Sequence, residues 1–368
     1  MIKNKDIIVF LIIFLLNTIF LNYSFGALKI IDFDIEGCYI GAYVSWKTVD
    51  DDHPWEPTST DIKKFEGMIG RKPAIVTHYR AFSYNEEPYY FPFNVYETVR
   101  ENGSILFLSW EPRDWNTNHP LYYEKSMLPD IIAGKYDDYI DQWAEDIKKL
   151  DQTILLRFAA EMNVENFSWS GARNGGGRKD GYGDPDMPDG PEIYVAAYRR
   201  VHDRFKAKEV NNALWVWTPI KWGAPFEPWN HYTNYYPGNE YVDIVAMDEY
   251  NWGTSQTWGQ WKSFNEMYWQ LYSELTRLYP DKILIVGEFS SSEKGGDKAR
   301  WIKESFKDIK EKYPLIKAFI WHHADNRKEV INNLLENADW RINSSPECSD
   351  AAKEALSDNY YLDRPIFY

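Results

Sequence analysis

Near-continuous apolar runs recur eight times along the chain, and the stretches between them carry apolar residues every three or four positions. The runs are CYIGAYV from Cys38, PAIVTHY from Pro73, SILFLSW from Ser104 and TILLRFA from Thr153. They continue with NALWVWT from Asn212, VDIVAMD from Val242, KILIVGE from Lys282 and IKAFIWH from Ile316. Strands buried on both faces read this way, because neither side alternates with water. The intervening stretches carry helix-start signals, such as Ser59 or Thr60 before DIKKFEGMIG and Pro191 near the first turn of DGPEIYVAAYRRVHDRFKA. Only the gap between the fifth and sixth runs lacks a helix pattern. Its GAPFEPWNHYTNYYPGNE reads as an ordered loop. Alternating strands and helices predict the α/β class, as a single (β/α)8 TIM barrel over residues 27–368. A doubly wound open sheet would announce itself by a Gly-rich phosphate turn after its first strand, and none follows Val44.

Chemistry in such barrels sits at the carboxyl ends of the strands. Those ends offer His78, Trp110 with Glu111, Glu161 with Asn163, Trp217, Asp248 with Tyr250, Glu288, and Trp321 with His322. Two glutamates stand out. Glu161 closes the fourth apolar run and Glu288 the seventh, each beside aromatic residues. Strict alternation along a strand would turn Arg157, Ala159 and Glu161 the same way, and likewise Leu284, Val286 and Glu288. A carboxyl pair facing across a glycosidic bond is what glycoside hydrolysis requires, one group protonating the leaving oxygen while the other attacks or activates water. A single strand-end glutamate would more simply be a salt-bridge or capping residue; two on opposite arcs of a counted ring of eight favour catalysis. No metal and no other cofactor is expected.

The order of IVTHY, LSWEP, IIAGKYDDYIDQWAEDIK, LLRFAAEMN, YVAAYRRVHDRF, LWVWTP, YYPGNEYVDIVAMDEYNW, ILIVGEF and IKAFIWH, from about Tyr39 to Trp321, resembles glycoside hydrolase family 26. That family groups β-mannanases with related β-glucanases and β-xylanases. The resemblance implies a retaining barrel enzyme with Glu161 as acid/base and Glu288 as nucleophile. It further implies that Tyr250 hydrogen-bonds the nucleophile and that Trp321 forms an apolar floor under the sugar. His78, Trp110, Asn163 and Trp169 are expected to bind substrate at that or adjoining subsites. The chain departs from the family pattern at two places, with Ala160 where a histidine usually precedes the acid/base and Val164 where a glycine follows Met-Asn. The implied substrate is a β-linked polysaccharide, first β-1,4-mannan, with mixed-linkage β-glucan or xylan as the alternative. A carbohydrate-binding barrel without turnover is the reading from another class.

Composition sharpens this picture at three points. Aromatic residues make up 17% of the chain, including 17 Trp and 27 Tyr, more than a core alone needs, which suggests flat surfaces for stacking on sugar rings. A net charge of −15 repels phosphate backbones, so nucleic acid is not an expected partner. Lys3 and Lys5 precede an apolar block from about Ile7 to Leu21, with small Ser24 and Gly26 after it. This reads as a cleaved secretory signal over residues 1–26, giving a secreted or cell-surface monomer without stable membrane insertion. An uncleaved anchor is the alternative. Cys38 and Cys348 are permitted to pair in an exported protein or to remain buried thiols. The Gly- and Asp-rich insert SGARNGGGRKDGYGDPDMPDGPE reads as a loop shaping a cleft, with a calcium site as the lesser alternative. Arg157, two positions inward of Glu161, reads as a partner in a buried ion pair or as the charge that keeps the nucleophile ionised.

Overall fold

A computed structural model describes residues 28–44, 56–115, 125–327, 330–331, 334–335 and 337–368. The proposed signal segment lies outside them. The eight expected strands are all present: β1 (Cys38–Tyr43), β2 (Ile75–Tyr84), β3 (Ile105–Asp114), β4 (Ile154–Phe158), β5 (Ala213–Trp217), β6 (Ile244–Asn251), β7 (Ile283–Ser291) and β8 (Ile316–His322). Each pairs in parallel with the next, and β8 pairs in parallel with β1, so the sheet closes on itself. This is a single (β/α)8 barrel.

The connecting helices are α1 (Ser59–Ile69), α2 (Phe93–Glu101), α3 (Leu128–Ile132), α4 (Asp137–Lys148), α5 (Asp189–Ala207), α6 (Phe264–Leu278), α7 (Lys298–Lys312) and α8 (Pro346–Leu356). Local chemistry starts them. Thr58 before α1 and Ser263 before α6 each form a reciprocal capping box with the acid three residues on, Asp61 and Glu266. Between β5 and β6 the chain makes only short 3-10 turns, at Pro228–Asn230, Tyr232–Tyr235 and Asn239–Tyr241, as the loop pattern implied.

Two apolar cores divide the strand residues by parity. Tyr39, Ile75, Ile105, Phe107, Leu155, Val216, Ile244, Ala246, Ile285, Ala318 and Ile320 form one buried cluster, drawn from all eight strands, that fills the barrel's axis. Ile31 and Phe33 of the leading segment join it. Their alternating neighbours pack with helix residues such as Trp143, Tyr198, Leu271 and Phe306 in the layer between strands and helices. Which layer a strand-end residue belongs to therefore decides whether it can meet a substrate. Cys38 and Cys348 are both buried free thiols in the outer layer. Among the described residues, no helix is long and apolar enough to cross a membrane.

Candidate active site

Above the axial core, the inward-facing residues at the strand ends turn polar. β2 continues Ile75, Thr77, Tyr79; β3 continues Phe107, Ser109, Glu111; β4 contributes Arg157 after Leu155; β6 contributes Asp248 and Tyr250 after Ala246. β8 ends in His322 after Ile320.

Glu288 reaches this ring by a device that simple alternation does not foresee. Ile285 faces the axis, while Leu284 and Val286 face the helices. Counting by twos would send Glu288 outward with them. The pairing with β6 slips at this point: Met247 pairs with Val286, but Asp248 pairs with Glu288, leaving Gly287 as the extra residue of a bulge. The bulge turns Glu288 into the mouth and sends Phe289 back to the outer layer. Only glycine fits there, because a Cβ on Gly287 would lie 2.5 Å from Asp248 Oδ1 and 3.0 Å from Ala246 Cβ.

Glu161 arrives differently. β4 ends at Phe158, and the chain turns through Ala159 (φ 49°) and Glu161 (φ 56°), both in the left-handed region that side chains rarely adopt. Such conformations persist only where the surroundings enforce them, and they cluster at functional sites. Here the Glu161 backbone N–H donates to Thr218 O beyond β5 at 2.8 Å, and Trp169 Nε1 donates to Ala160 O at 2.7 Å.

The two glutamates meet with Asp248: one carboxyl oxygen of each lies within 4.8 Å of the others. Among the described residues this is a grouping with ligand spacing for a cation, and the Arg157 guanidinium already fills that electrostatic role. Arg157 is 1% exposed; it bonds Asp248 Oδ2 at 3.0 Å, Ser109 Oγ at 3.2 Å and Glu288 Oε1. Arg157 is thus a partner in buried ion pairs with both Asp248 and Glu288. One guanidinium faces three carboxyls, Asp248 and Glu288 buried and Glu161 half-buried, so the charge balance favours one carboxylate, and the hydrogen bonds select which.

Glu288 is the selected one. Tyr79 Oη donates to its Oε1 and Tyr250 Oη to its Oε2, each at 2.6 Å. Burial pushes its pKa up, but the Arg157 charge, the nearby His322 and the two phenols more than offset this and hold it below the ordinary value. Glu161 goes the other way. Burial, then the charge of Glu288, pushes it up to about 8. Burial and the same charge drive Asp248 well above its usual range. Proton affinity is therefore raised on the Glu161–Asp248 side and lowered at Glu288.

The other residues singled out from sequence fall in different places. Tyr250 is at the site. Trp321 is fully buried in the outer layer against Phe289, Trp301 and Phe306, its Nε1 donating to Trp340 O at 2.9 Å. It forms no floor in the mouth; the inward residue is the next one, His322, which stacks on Tyr43 at 4.9 Å between ring centroids. Trp110 is likewise buried outward, stacked on Trp143 of α4 at 4.4 Å. His78 shares the outward side of β2 with Val76 and Phe82, one position from the inward Tyr79. Each of these three misses the mouth by one residue of parity. Trp169, stacked on Phe167, braces the Glu161 turn instead of facing the cleft. Asn163 is 1% exposed and spends its side chain on Ile220, accepting from its N–H at 3.0 Å and donating to its carbonyl at 2.6 Å. Glu111, Asp248 and His322, named among the strand ends from the sequence, complete the ring with Tyr43 and Tyr79, which were not; counting parity from the strand centres, not from the ends, would have found the two tyrosines. In the Gly-rich insert, Asp189 and Glu192 accept from backbone N–H groups of Gly181, Tyr182 and Asp184, so these carboxylates fold the loop.

Residues 114–345, more than half of the chain, match the glycosyl hydrolase family 26 model. The chain belongs to glycosyl hydrolase family 26. Endoglucanase H of Acetivibrio thermocellus is 34% identical over 325 residues, 87% of this chain but 30% of that protein, so the chain spans under a third of that relative's length. Mannan endo-1,4-beta-mannosidase A and B of Caldalkalibacillus mannanilyticus is 32% identical over 121 residues, 32% of this chain and 21% of that protein. Among solved structures, the Bacillus subtilis mannanase man26 superposes with a TM-score of 0.59 at 16% identity, covering 89% of this chain and 87% of its own. A family 26 β-mannanase from Bacteroides ovatus gives 0.58 at 16%, covering 90% and 91%. At such identity these two bear on the fold, and their barrels match this one.

Proposed function

We propose that this family 26 protein is a secreted, retaining endo-β-glycosidase in which Glu161 is the general acid/base and Glu288 the nucleophile. The observation that carries the reading is the opposite tuning of two carboxyls whose oxygens lie within 4.8 Å. Retaining enzymes set their carboxyls about 5–5.5 Å apart, inverting ones about 6.5–9.5 Å. In the first step Glu288 attacks the anomeric carbon while Glu161 gives its proton to the departing oxygen. In the second, Glu161 takes a proton from water, which displaces Glu288 from the sugar. Export rests on the leader-like residues 1–26.

Two polysaccharides compete as substrate. β-1,4-Mannan follows from the family resemblance and from relatives named as mannosidases. A β-glucan is the reading favoured by the match to an endoglucanase across 87% of this chain. Reducing-sugar release from mannan, mixed-linkage glucan and xylan separates them, and NMR of the first-formed anomer tests retention. An α-anomer as the initial product would refute the mechanism.

A further inference from the structure

One surface feature outside the carboxyl ring is unexplained by packing. Trp222 and Phe226, in the loop after β5, are 53% and 78% exposed, with ring centroids 5.6 Å apart. Singly exposed apolar residues are ordinary, but two large rings held side by side are an exposed apolar patch.

The loop that bears them is fastened to the turn that bears Glu161. Ala224 N donates to Asn163 O at 2.9 Å, and Glu165 N donates to Ala224 O at 2.8 Å, a parallel bridge between Val164 and Ala224. The Asn163 side chain grips Ile220 on both its polar groups. Asn230 Nδ2 donates to both Asn163 O and Pro225 O, at 2.9 Å each. Gly223 lies so close that a Cβ there would sit 2.9 Å from Asn163 Nδ2. The Lys221 ammonium lies 4.7 Å from the centre of the Trp222 ring and bonds Gln270 on α6, which fixes the indole from one side. The backbone that carries the aromatic pair is therefore tied to the turn that carries Glu161.

Position decides what the pair would meet. Glu288 is held by Tyr79 of β2, Arg157 of β4 and Tyr250 of β6, so the sugar that it attacks sits over the ring centre. Glu161 hangs from Thr218 at the end of β5, and the group that it protonates leaves on that side. We infer that Trp222 and Phe226 form a stacking platform for the sugar ring of the leaving group, an aglycone subsite rigidly indexed to the general acid. A pyranose presents an apolar C–H face of about the breadth of an indole, and stacking on a fixed ring loses little conformational entropy. This rests on the proposed roles of Glu161 and Glu288.

The test compares two substrates that share the glycone but differ in the leaving group. Trp222→Ala, Phe226→Ala and the double variant are assayed on the polysaccharide and on an aryl oligoglycoside whose leaving group is a phenol. The ratio of kcat/KM for polysaccharide to that for aryl glycoside is expected to fall about ten-fold in each single variant, as for loss of one aromatic stack. Transfer to an added oligosaccharide acceptor, which needs the same subsite, should fall with it. Parallel losses on both substrates would show that the loop only supports Glu161, and unchanged kcat/KM on both would show that nothing stacks there; either overturns the platform. A wild-type enzyme inert on both substrates would overturn the functional reading itself, and the platform with it.

Discussion

The two sides of the barrel mouth hold the same functional group under opposite rules. On the β7 side, Glu288 is surrounded by donors: two tyrosines and an arginine occupy its oxygens and stabilise its charge. On the β4 side, Glu161 sits on a backbone turned into the left-handed region, next to Asp248, whose own pKa burial and the Glu288 charge drive up; Arg157 acts on Glu161 less than burial and the Glu288 charge do. The lesson is that desolvation alone does not assign roles. It acts upward on both carboxyls, and the hydrogen-bond inventory separates them.

The largest effect expected from breaking this contrast is in Glu288→Ala, which should reduce activity to background on every substrate, however good the leaving group, because no covalent intermediate can form. Activity on an aryl glycoside within ten-fold of wild type would remove Glu288 from the mechanism. Glu161→Ala should lower polysaccharide cleavage by about 10²- to 10⁴-fold, the usual contribution of general acid–base catalysis. It should largely spare the first step for a phenol that leaves unprotonated, giving a burst. Added azide, which needs no base, should then restore turnover as a β-glycosyl azide. Absence of both burst and rescue would count against the assignment.

A smaller effect probes the donors. The active free enzyme needs Glu288 ionised and Glu161 protonated, so kcat/KM should fall as pH drops below the ordinary carboxylate range and again as it rises through about 8. Tyr79→Phe removes one donor from the charged form of Glu288 and should move the acid limb to higher pH while leaving the basic limb in place. An unmoved acid limb would mean that Tyr79 only packs. The smallest effect is on stability. Glu161 holds its proton to about 8 in the folded state against an ordinary 4.5, so the folded protein binds a proton that the unfolded chain releases, and stability falls as pH rises between those values. Glu161→Gln should lose less Tm than wild type between pH 5 and pH 8. An equal loss would show that Glu161 is not the group titrating there.

Much of this was legible in the sequence, and the failures have a common cause. The eight strands, their helices and the missing helix between β5 and β6 follow from apolar periodicity, because a buried parallel strand has few other ways to read. Glu161 and Glu288 were legible as charges ending apolar runs. The tryptophans were not, because an indole at a strand end is as well suited to the helix–strand layer as to a sugar. Trp110 and Trp321 both went to that layer, while the inward positions next to them hold Glu111 and His322. Position 288 was assigned inward for a reason that does not hold: plain alternation would have carried it outward, and a slip in pairing with β6 brought it in. Such a slip depends on what the neighbouring strand does, which no count along one segment contains.

The bulge at Gly287 also constrains how the protein can be altered. A strand whose sides alternate is a two-letter reading frame, and Gly287 is a single letter that the frame skips. Drawing it into the ladder opposite Asp248 would exchange the phases of the following residues, presenting the phenyl of Phe289 to the substrate and delivering the carboxylate of Glu288 to the apolar layer beneath α7, without changing the identity of any residue. Grafting this strand into a related barrel, or aligning it by hydrophobic pattern alone, carries the same hazard: the address of the Glu288 carboxylate is written in the spacing between two strands, and a transplant must bring both.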